Sequence, residues 1–112
     1  MRRILVAIDG SDSALRALEF AVTPARHAPA AELHVLHVQP TLSNYTAAEI
    51  YVTPERIQQV AAERARSILE SAAERLKSVD CRYELEQLEG DAAETIAHRA
   101  AELGCESITM GT

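Results

Sequence analysis

The first residue able to do chemistry is Asp9, which directly follows an unbroken apolar run from Ile4 to Ile8. Such a run is typical of a strand buried on both faces of a parallel sheet, and the Gly10-Ser11 pair after Asp9 is typical of a turn into a helix. In open α/β sheets, ligands bind just beyond the carboxyl ends of the strands. Asp9 is therefore a candidate binding residue. The alternative is that it only shapes the turn.

Histidine and cysteine side chains do not suggest a second reactive site. His34 and His37 are three residues apart on a predicted strand, so they point to opposite faces, and we expect both to be packed rather than to bind a ligand. Cys81 and Cys105 lack the spacing of metal ligands and are interpreted as reduced thiols. No paired acid and base or nucleophile-base motif indicates catalysis. The sequence therefore predicts neither an enzyme nor a metal site.

Composition and charge argue against several classes of partner. The chain has 112 residues, of which 47% are hydrophobic, and its net charge is −6. We therefore expect a single packed domain over residues 1–112. The negative charge argues against nucleic acid or an anionic membrane surface as the main partner, and no apolar run approaches the roughly 20 residues of a membrane span. With reduced cysteines and no signal-peptide pattern at the N-terminus, we expect a cytoplasmic protein.

Strand and helix patterns alternate along the chain. Alternation of this kind builds a mostly parallel sheet with helices on its faces, and right-handed crossovers favour the strand order 3-2-1-4. Asp9 and Gly111 would then open onto one crevice between the first and fourth strands. The predicted strands are residues 4–8, 32–38, 81–88 and 107–110, and the predicted helices lie between them.

Particular residues mark the ends of the helices. Thr53 is a predicted N-cap for the second helix, and Asp91 with Glu94 resembles a capping box for the third. Gly104 stands where a C-terminal glycine ends that helix. Pro24 is expected to kink the first helix or to end it near residue 22. Residues 41–52 have no clear period and are predicted to form a long loop.

Four short motifs resemble those of the universal stress protein family. They are residues 4–11, 33–38, 89–91 and 108–112, and their order and separations are more specific than any one of them. The resemblance implies a Rossmann-like fold of the adenine nucleotide alpha hydrolase-like type, a homodimer and a role in the stress response. One branch of the family binds ATP as a regulatory ligand, and another branch does not.

The resemblance also implies which residues would bind the adenine. The acidic residue at the end of the first strand contacts the base in the ATP-binding branch, which implies Asp9, with Ala7 and Ile8 beside it. The last residue of the second strand lines the adenine pocket, which implies Val38. A carboxylate can accept from the exocyclic amine, and aliphatic side chains can pack against the ring.

The phosphate signature of the family is matched only at its first glycine. The signature runs Gly, two residues, Gly, nine residues, Gly and then Ser or Thr, and the sequence contains only the first of these, Gly111. Met110 and Gly111 are implied to open this segment, whose backbone N–H groups cradle phosphate. The fifth strand and last helix of the family are not matched either. We therefore expect a C-terminally incomplete domain that binds ATP weakly or not at all.

Two other functions remain open. The chain could be a nucleotide-independent interaction module that works through dimerisation, or another Rossmann-like nucleotide-binding domain, such as an electron-transfer flavoprotein domain. For assembly, we expect self-association through the edge of the fourth strand, residues 107–110, whose outer N–H and C=O groups would lack partners. An adjacent uncovered apolar face, expected on the side of the first helix, is the alternative contact.

Overall fold

Strands and helices alternate in the structure, a computed structural model that describes residues 3–27 (23–27 as backbone only), 31–40, 53–77, 79 and 81–111. The predicted alternation is confirmed. The predicted loop at 41–52 lies outside the described residues. The elements are β1 (Arg3–Ala7), α1 (Asp12–His27), β2 (Glu32–Gln39), α2 (Pro54–Leu76), β3 (Arg82–Glu89), α3 (Ala92–Leu103) and β4 (Ser107–Met110).

The four described strands form one parallel sheet in the order β3-β2-β1-β4. Ala7 of β1 is in register with Leu36 on β2 and with Met110 on β4. The pairing continues past the end of β1, because the Ile8 N–H donates to the Leu36 carbonyl at 2.9 Å. The predicted α/β class and strand order are therefore confirmed, and the carboxyl ends of β1 and β2 meet at one edge.

The sheet separates two apolar clusters. The smaller cluster contains Leu5 and Leu36 of the sheet with Ile96 and Ala100 of α3. The larger cluster lies on the opposite face, where α1 and α2 pack on the sheet. Its fully buried members with less than 2% exposure are Val6, Leu18, Ala21, Leu33, Val35, Ala72 and Leu76. This division follows from right-handed crossovers, because the chain moves across the sheet in one direction through α1 and α2 and returns through α3.

The predicted caps are present at both ends of α3 and at the start of α2. Thr53 Oγ1 accepts from the Arg56 N–H at 3.2 Å, and Asp91 Oδ2 accepts from the Glu94 N–H at 3.1 Å. Gly104 adopts a φ of 65°, the left-handed conformation that ends α3. Each cap satisfies backbone groups that a helix end leaves without partners.

Pro24 does not end α1 near residue 22, one of the two predicted alternatives, since the helix continues to His27. The kink stays a prediction. A proline inside a helix removes one backbone hydrogen bond and crowds the preceding turn. The turns before it are held to the sheet by Ala14, Leu18, Ala21 and Val22, which are all buried. Helices in proteins are stabilised mainly by such packing, so one lost hydrogen bond does not end this one.

β4 carries exposed apolar side chains on the face of α3. Ile108 is 43% exposed and Met110 is 54% exposed. Their partners in register are Leu5 and Ala7, which belong to the cluster packed against α3. The expectation that the uncovered surface lies on the side of α1 is therefore wrong. The reason is topological, because α1 and α3 cover opposite faces of the sheet.

Candidate functional site

A cavity of about 410 Å³ opens at the carboxyl ends of β1 and β2. Asp9 lies two residues after the end of β1 and borders the cavity together with His37 and Val38 of β2. The N-terminal half of α2 forms the facing side. Two strand ends and one helix thus enclose a space within the size range of small-molecule pockets.

Asp9 both shapes the turn and borders the cavity. Its Oδ1 accepts from the Ser11 N–H at 2.9 Å, and Ser11 Oγ in turn accepts from the Ala14 N–H at 3.1 Å at the start of α1. Hydrogen bonding from Ser11, through its side chain and its backbone, lowers the pKa of Asp9, so the carboxylate is charged at neutral pH. Because a carboxylate can accept about four hydrogen bonds, the turn leaves capacity for a ligand.

His37 is a buried side chain at the strand side of the cavity. Its Nδ1 lies 2.9 Å from the carbonyl oxygen of Ile8 on the neighbouring strand. A carbonyl oxygen can only accept, so Nδ1 donates and carries the ring hydrogen. The predictions that His34 and His37 are packed and lie on opposite faces are confirmed. The expectation that neither binds a ligand is not tested by these contacts. The sequence did not indicate that His37 also borders a cavity.

Aliphatic side chains line much of the cavity. Val38 comes from β2, and Ile57, Val60 and Ala61 come from α2. Ile57 is buried, whereas Val60 is 47% exposed although it is a large apolar residue. An apolar slot bordered by a few polar groups is the usual make-up of a site for a flat organic ligand.

Arg56 and Arg64 border the cavity from α2. They are eight residues apart, which is about 12 Å along a helix axis. Arg56 Nη1 donates to Gln59 Oε1, a neutral acceptor, at 3.1 Å. Sequence patterns alone did not single out these arginines. The topology could have indicated Arg56 as a residue of the cavity, because the helix that follows β2 starts at the edge of the sheet where the ligand crevice opens.

Three other residues implied by the family resemblance do not line the cavity, namely Ala7, Ile8 and Met110. Ala7 packs in the cluster under α3, and Ile8 is buried in the larger cluster. Met110 ends β4 beside Ala7 and is largely exposed. The structure therefore brings Asp9 and Val38 together at one cavity and places Met110 on the far side of β1. The roles assigned to Ala7, Ile8 and Met110 stay predictions.

Gly111 lies tightly against the first turn of α1. A Cβ at this position would be 2.5 Å from the backbone carbon of Ser13 and 2.6 Å from the backbone nitrogen of Ala14. Real Cβ atoms do not approach backbone this closely, so the packing alone requires glycine here. Its implied role in opening a phosphate-binding segment stays a prediction.

Within residues 3–27, 31–40, 53–77, 79 and 81–111, no group of three or more His, Cys, Asp and Glu side chains is placed to hold a metal ion. The helices in this part of the chain include none that is both long and apolar enough to cross a membrane. Cys105 is a free thiol, and burial raises its pKa.

Known proteins resemble the chain over nearly its whole length. The pattern that defines the universal stress protein family matches residues 1–112. Universal stress protein YxiE of Bacillus subtilis is 32% identical over 116 residues, which cover 98% of this chain and 78% of that protein. A crystal structure from the same family in Burkholderia pseudomallei is 30% identical with a TM-score of 0.81, covering 98% of this chain and 80% of that one. The Archaeoglobus fulgidus universal stress protein, solved in complex with dAMP, is 23% identical with a TM-score of 0.70, covering 96% and 78%. The chain thus belongs to the universal stress protein family.

Proposed function

We propose that the chain binds an adenine nucleotide in the cavity at the carboxyl ends of β1 and β2, as a regulatory ligand of a stress-response protein. The observation that carries this proposal is the meeting of Asp9 and Val38 at one cavity. These residues come from different strands, and each is the position that the family resemblance implies for contact with adenine. The dAMP complex of the Archaeoglobus fulgidus relative supports this ligand class.

The chemistry of the cavity suits each part of such a ligand. The Asp9 carboxylate accepts from the exocyclic amine of adenine, and Val38 and Ile57 offer aliphatic surface to the ring. Arg56 and Arg64 place two positive charges at the same cavity in a chain of net charge −6. Those charges favour a phosphorylated nucleoside over the nucleoside itself.

We expect the β- and γ-phosphates of ATP to add little to its affinity for a polypeptide of these 112 residues. Of the phosphate signature it contains Gly111 alone. Hydrogen bonds to charged groups contribute about 1.5–3 kcal/mol each, so the N–H donors of the other glycines matter. ATP should therefore bind no more than about tenfold tighter than AMP, a factor that corresponds to 1.4 kcal/mol.

Titration calorimetry tests the proposal with AMP and adenosine as ligands. The wild-type chain should bind AMP more tightly than adenosine, and Asp9→Ala should weaken AMP about tenfold or more, because a charged acceptor is lost. Asp12→Ala is the matched control, since Asp12 is an exposed carboxylate in the first turn of α1 outside the cavity. No detectable AMP binding, or equal losses in both variants, would refute adenine binding at this site.

A second candidate function is favoured by the exposed apolar residues of β4. We propose homodimerisation through β4, which pairs only with β1 among the described strands and exposes Ile108 and Met110. Met110→Glu should shift the chain toward monomer in sedimentation at micromolar concentration. Phe20→Glu is the control, since Phe20 is 71% exposed on α1. A wild-type monomer would exclude this candidate, and a dimer insensitive to Met110→Glu would place the contact elsewhere.

Three expectations from the sequence stay predictions alongside these proposals. They are the absence of enzymatic activity, the cytoplasmic location and the exclusion of nucleic acid and membrane as partners. None of them is needed for the binding experiment.

A further inference from the structure

His37 has one ring nitrogen fixed by the backbone and a second nitrogen left for the cavity. The side chain is only 8% exposed, and Nδ1 donates to the Ile8 carbonyl oxygen at 2.9 Å. In the neutral imidazole one nitrogen carries the hydrogen and the other carries the lone pair. Because Nδ1 holds the hydrogen, neutral His37 has an Nε2 that can only accept.

Nε2 of His37 has no hydrogen-bond partner among the residues that the structure describes. His37 is one of the residues that border the cavity. Asp9, the residue after Ile8, borders the same cavity and is itself an acceptor. The strand side of the cavity therefore has two acceptors, Asp9 and His37, beside the amide of Gln39, whereas the charged donors, Arg56 and Arg64, lie on α2.

We propose that Asp9 and His37 together bind the two hydrogens of an exocyclic amine, and that His37 makes the cavity selective for adenine over hypoxanthine. This inference rests on the proposed function. Adenine has an amino group with two hydrogens where hypoxanthine has a carbonyl oxygen. A carbonyl facing two acceptors gains no hydrogen bond and leaves the buried acceptor of His37 without a partner. Sites built to hydrogen-bond one group reject analogues that lack it for this reason.

The test compares AMP and IMP binding by titration calorimetry in wild type, His37→Asn and His98→Asn. The amide nitrogen of Asn takes the place of Nδ1 and keeps the donation to Ile8, whereas Nε2 is deleted. We expect wild type to prefer AMP at least tenfold and His37→Asn to lose about tenfold in AMP affinity with little change for IMP. His98, on the exposed surface of α3, is the control and should leave both affinities unchanged.

The outcomes separate this inference from the proposed function. If AMP binds and Asp9→Ala weakens it, but His37→Asn keeps the wild-type ratio of AMP to IMP affinity, the role of His37 is overturned and nucleotide binding stands. If wild type binds neither nucleotide, both proposals fall. The wild-type ratio of AMP to IMP affinity needs no variant, so it decides the matter even if His37→Asn does not fold. A wild-type chain that binds AMP and IMP equally well contradicts the inference.

Discussion

Two histidines three residues apart on β2 have contrasting surroundings. His34 lies on the α3 face with its Nε2 2.9 Å from Glu86 Oε1, and the same oxygen accepts from Arg99 Nε at 2.7 Å. His37 lies on the opposite face, where it contacts a neutral backbone carbonyl and borders the cavity. The same residue type is thus part of a charged cluster on one face and a candidate ligand contact on the other. Whether a histidine on β2 stabilises the fold or borders the cavity therefore depends on the face of the sheet to which it points.

The charged cluster joins three elements. Glu86 is on β3, His34 is on β2 and Arg99 is on α3. Partial burial raises the pKa of Glu86, but hydrogen bonds from Arg99 and His34 outweigh that effect and leave the pKa lowered. Glu86 therefore stabilises the native state as a charged group. Four experiments test the structural side of this contrast, on the face of the sheet that α3 covers.

The largest effect is expected from Leu36→Ala. Leu36 lies between the two histidines on β2 and is fully buried against α3. Removal of a buried Leu side chain costs about 2–5 kcal/mol of the free energy of unfolding. Urea unfolding measures this loss. A loss below about 1 kcal/mol would mean that the α3 face is not a well-packed core.

A smaller loss of stability is expected from Glu86→Gln. This change keeps the side-chain shape but weakens two charge-assisted hydrogen bonds, so the free energy of unfolding should fall by about 1–2 kcal/mol. Glu84→Gln is the matched control on the same strand, because Glu84 is exposed and its Oε2 is 3.7 Å from His34 Nδ1. The control should cost less than about 0.5 kcal/mol. Equal losses would show that Glu86 is not the centre of the cluster.

The contribution of Glu86 should disappear in acid. Its pKa in the folded chain is below the ordinary value of 4.5. A carboxylate of this kind stabilises the native state above its unfolded pKa, and the contribution is lost as the pH falls from there through the lower folded pKa. The difference in unfolding free energy between wild type and Glu86→Gln should therefore shrink between about pH 6 and about pH 3. A difference that stays constant over this range would exclude titration of Glu86 as its source.

The smallest effect is expected at a third histidine, His98. It is exposed on α3, and its Nε2 is 3.7 Å from Glu102 Oε1 in the next turn. Exposed pairs of this kind contribute little, so His98→Asn should change the free energy of unfolding by less than about 0.5 kcal/mol. Thermal melting gives the value. A larger change would mean that histidine substitution is costly in this fold whatever the surroundings.

Local signals in the sequence were enough for the order of the elements. The apolar run at residues 4–8 predicted a central strand, and alternating polar residues in β3 predicted an edge strand. Thr53 and Asp91 marked helix starts because capping depends only on neighbours along the chain. Strand order followed from crossover handedness. Asp9 was singled out because a strand end can be read from the same local patterns, whereas Val38 was implied by the family resemblance.

The features that escaped prediction depend on contacts between distant segments. The hydrogen bond from His37 to Ile8 exists because of the register between β1 and β2. Arg56 borders the cavity because α2 lies across the strand ends. The close approach of Gly111 to Ser13 likewise needs β4 to lie against α1. Patterns along one segment contain no information on such distances.

The pairing of β1 with β4 also has a consequence for synthesis of the protein. Ile4 is in register with Ser107, and the hydrogen bond from Arg3 to Leu103 spans 100 residues of sequence. At a translation rate of about 5–20 residues per second, β1 leaves the ribosome about 5–20 seconds before its partner. During this interval the edge of β1 that later pairs with β4 has no neighbouring strand from its own chain. Nascent chains of this topology should therefore depend on molecular chaperones more than chains whose central strand pairs with adjacent segments.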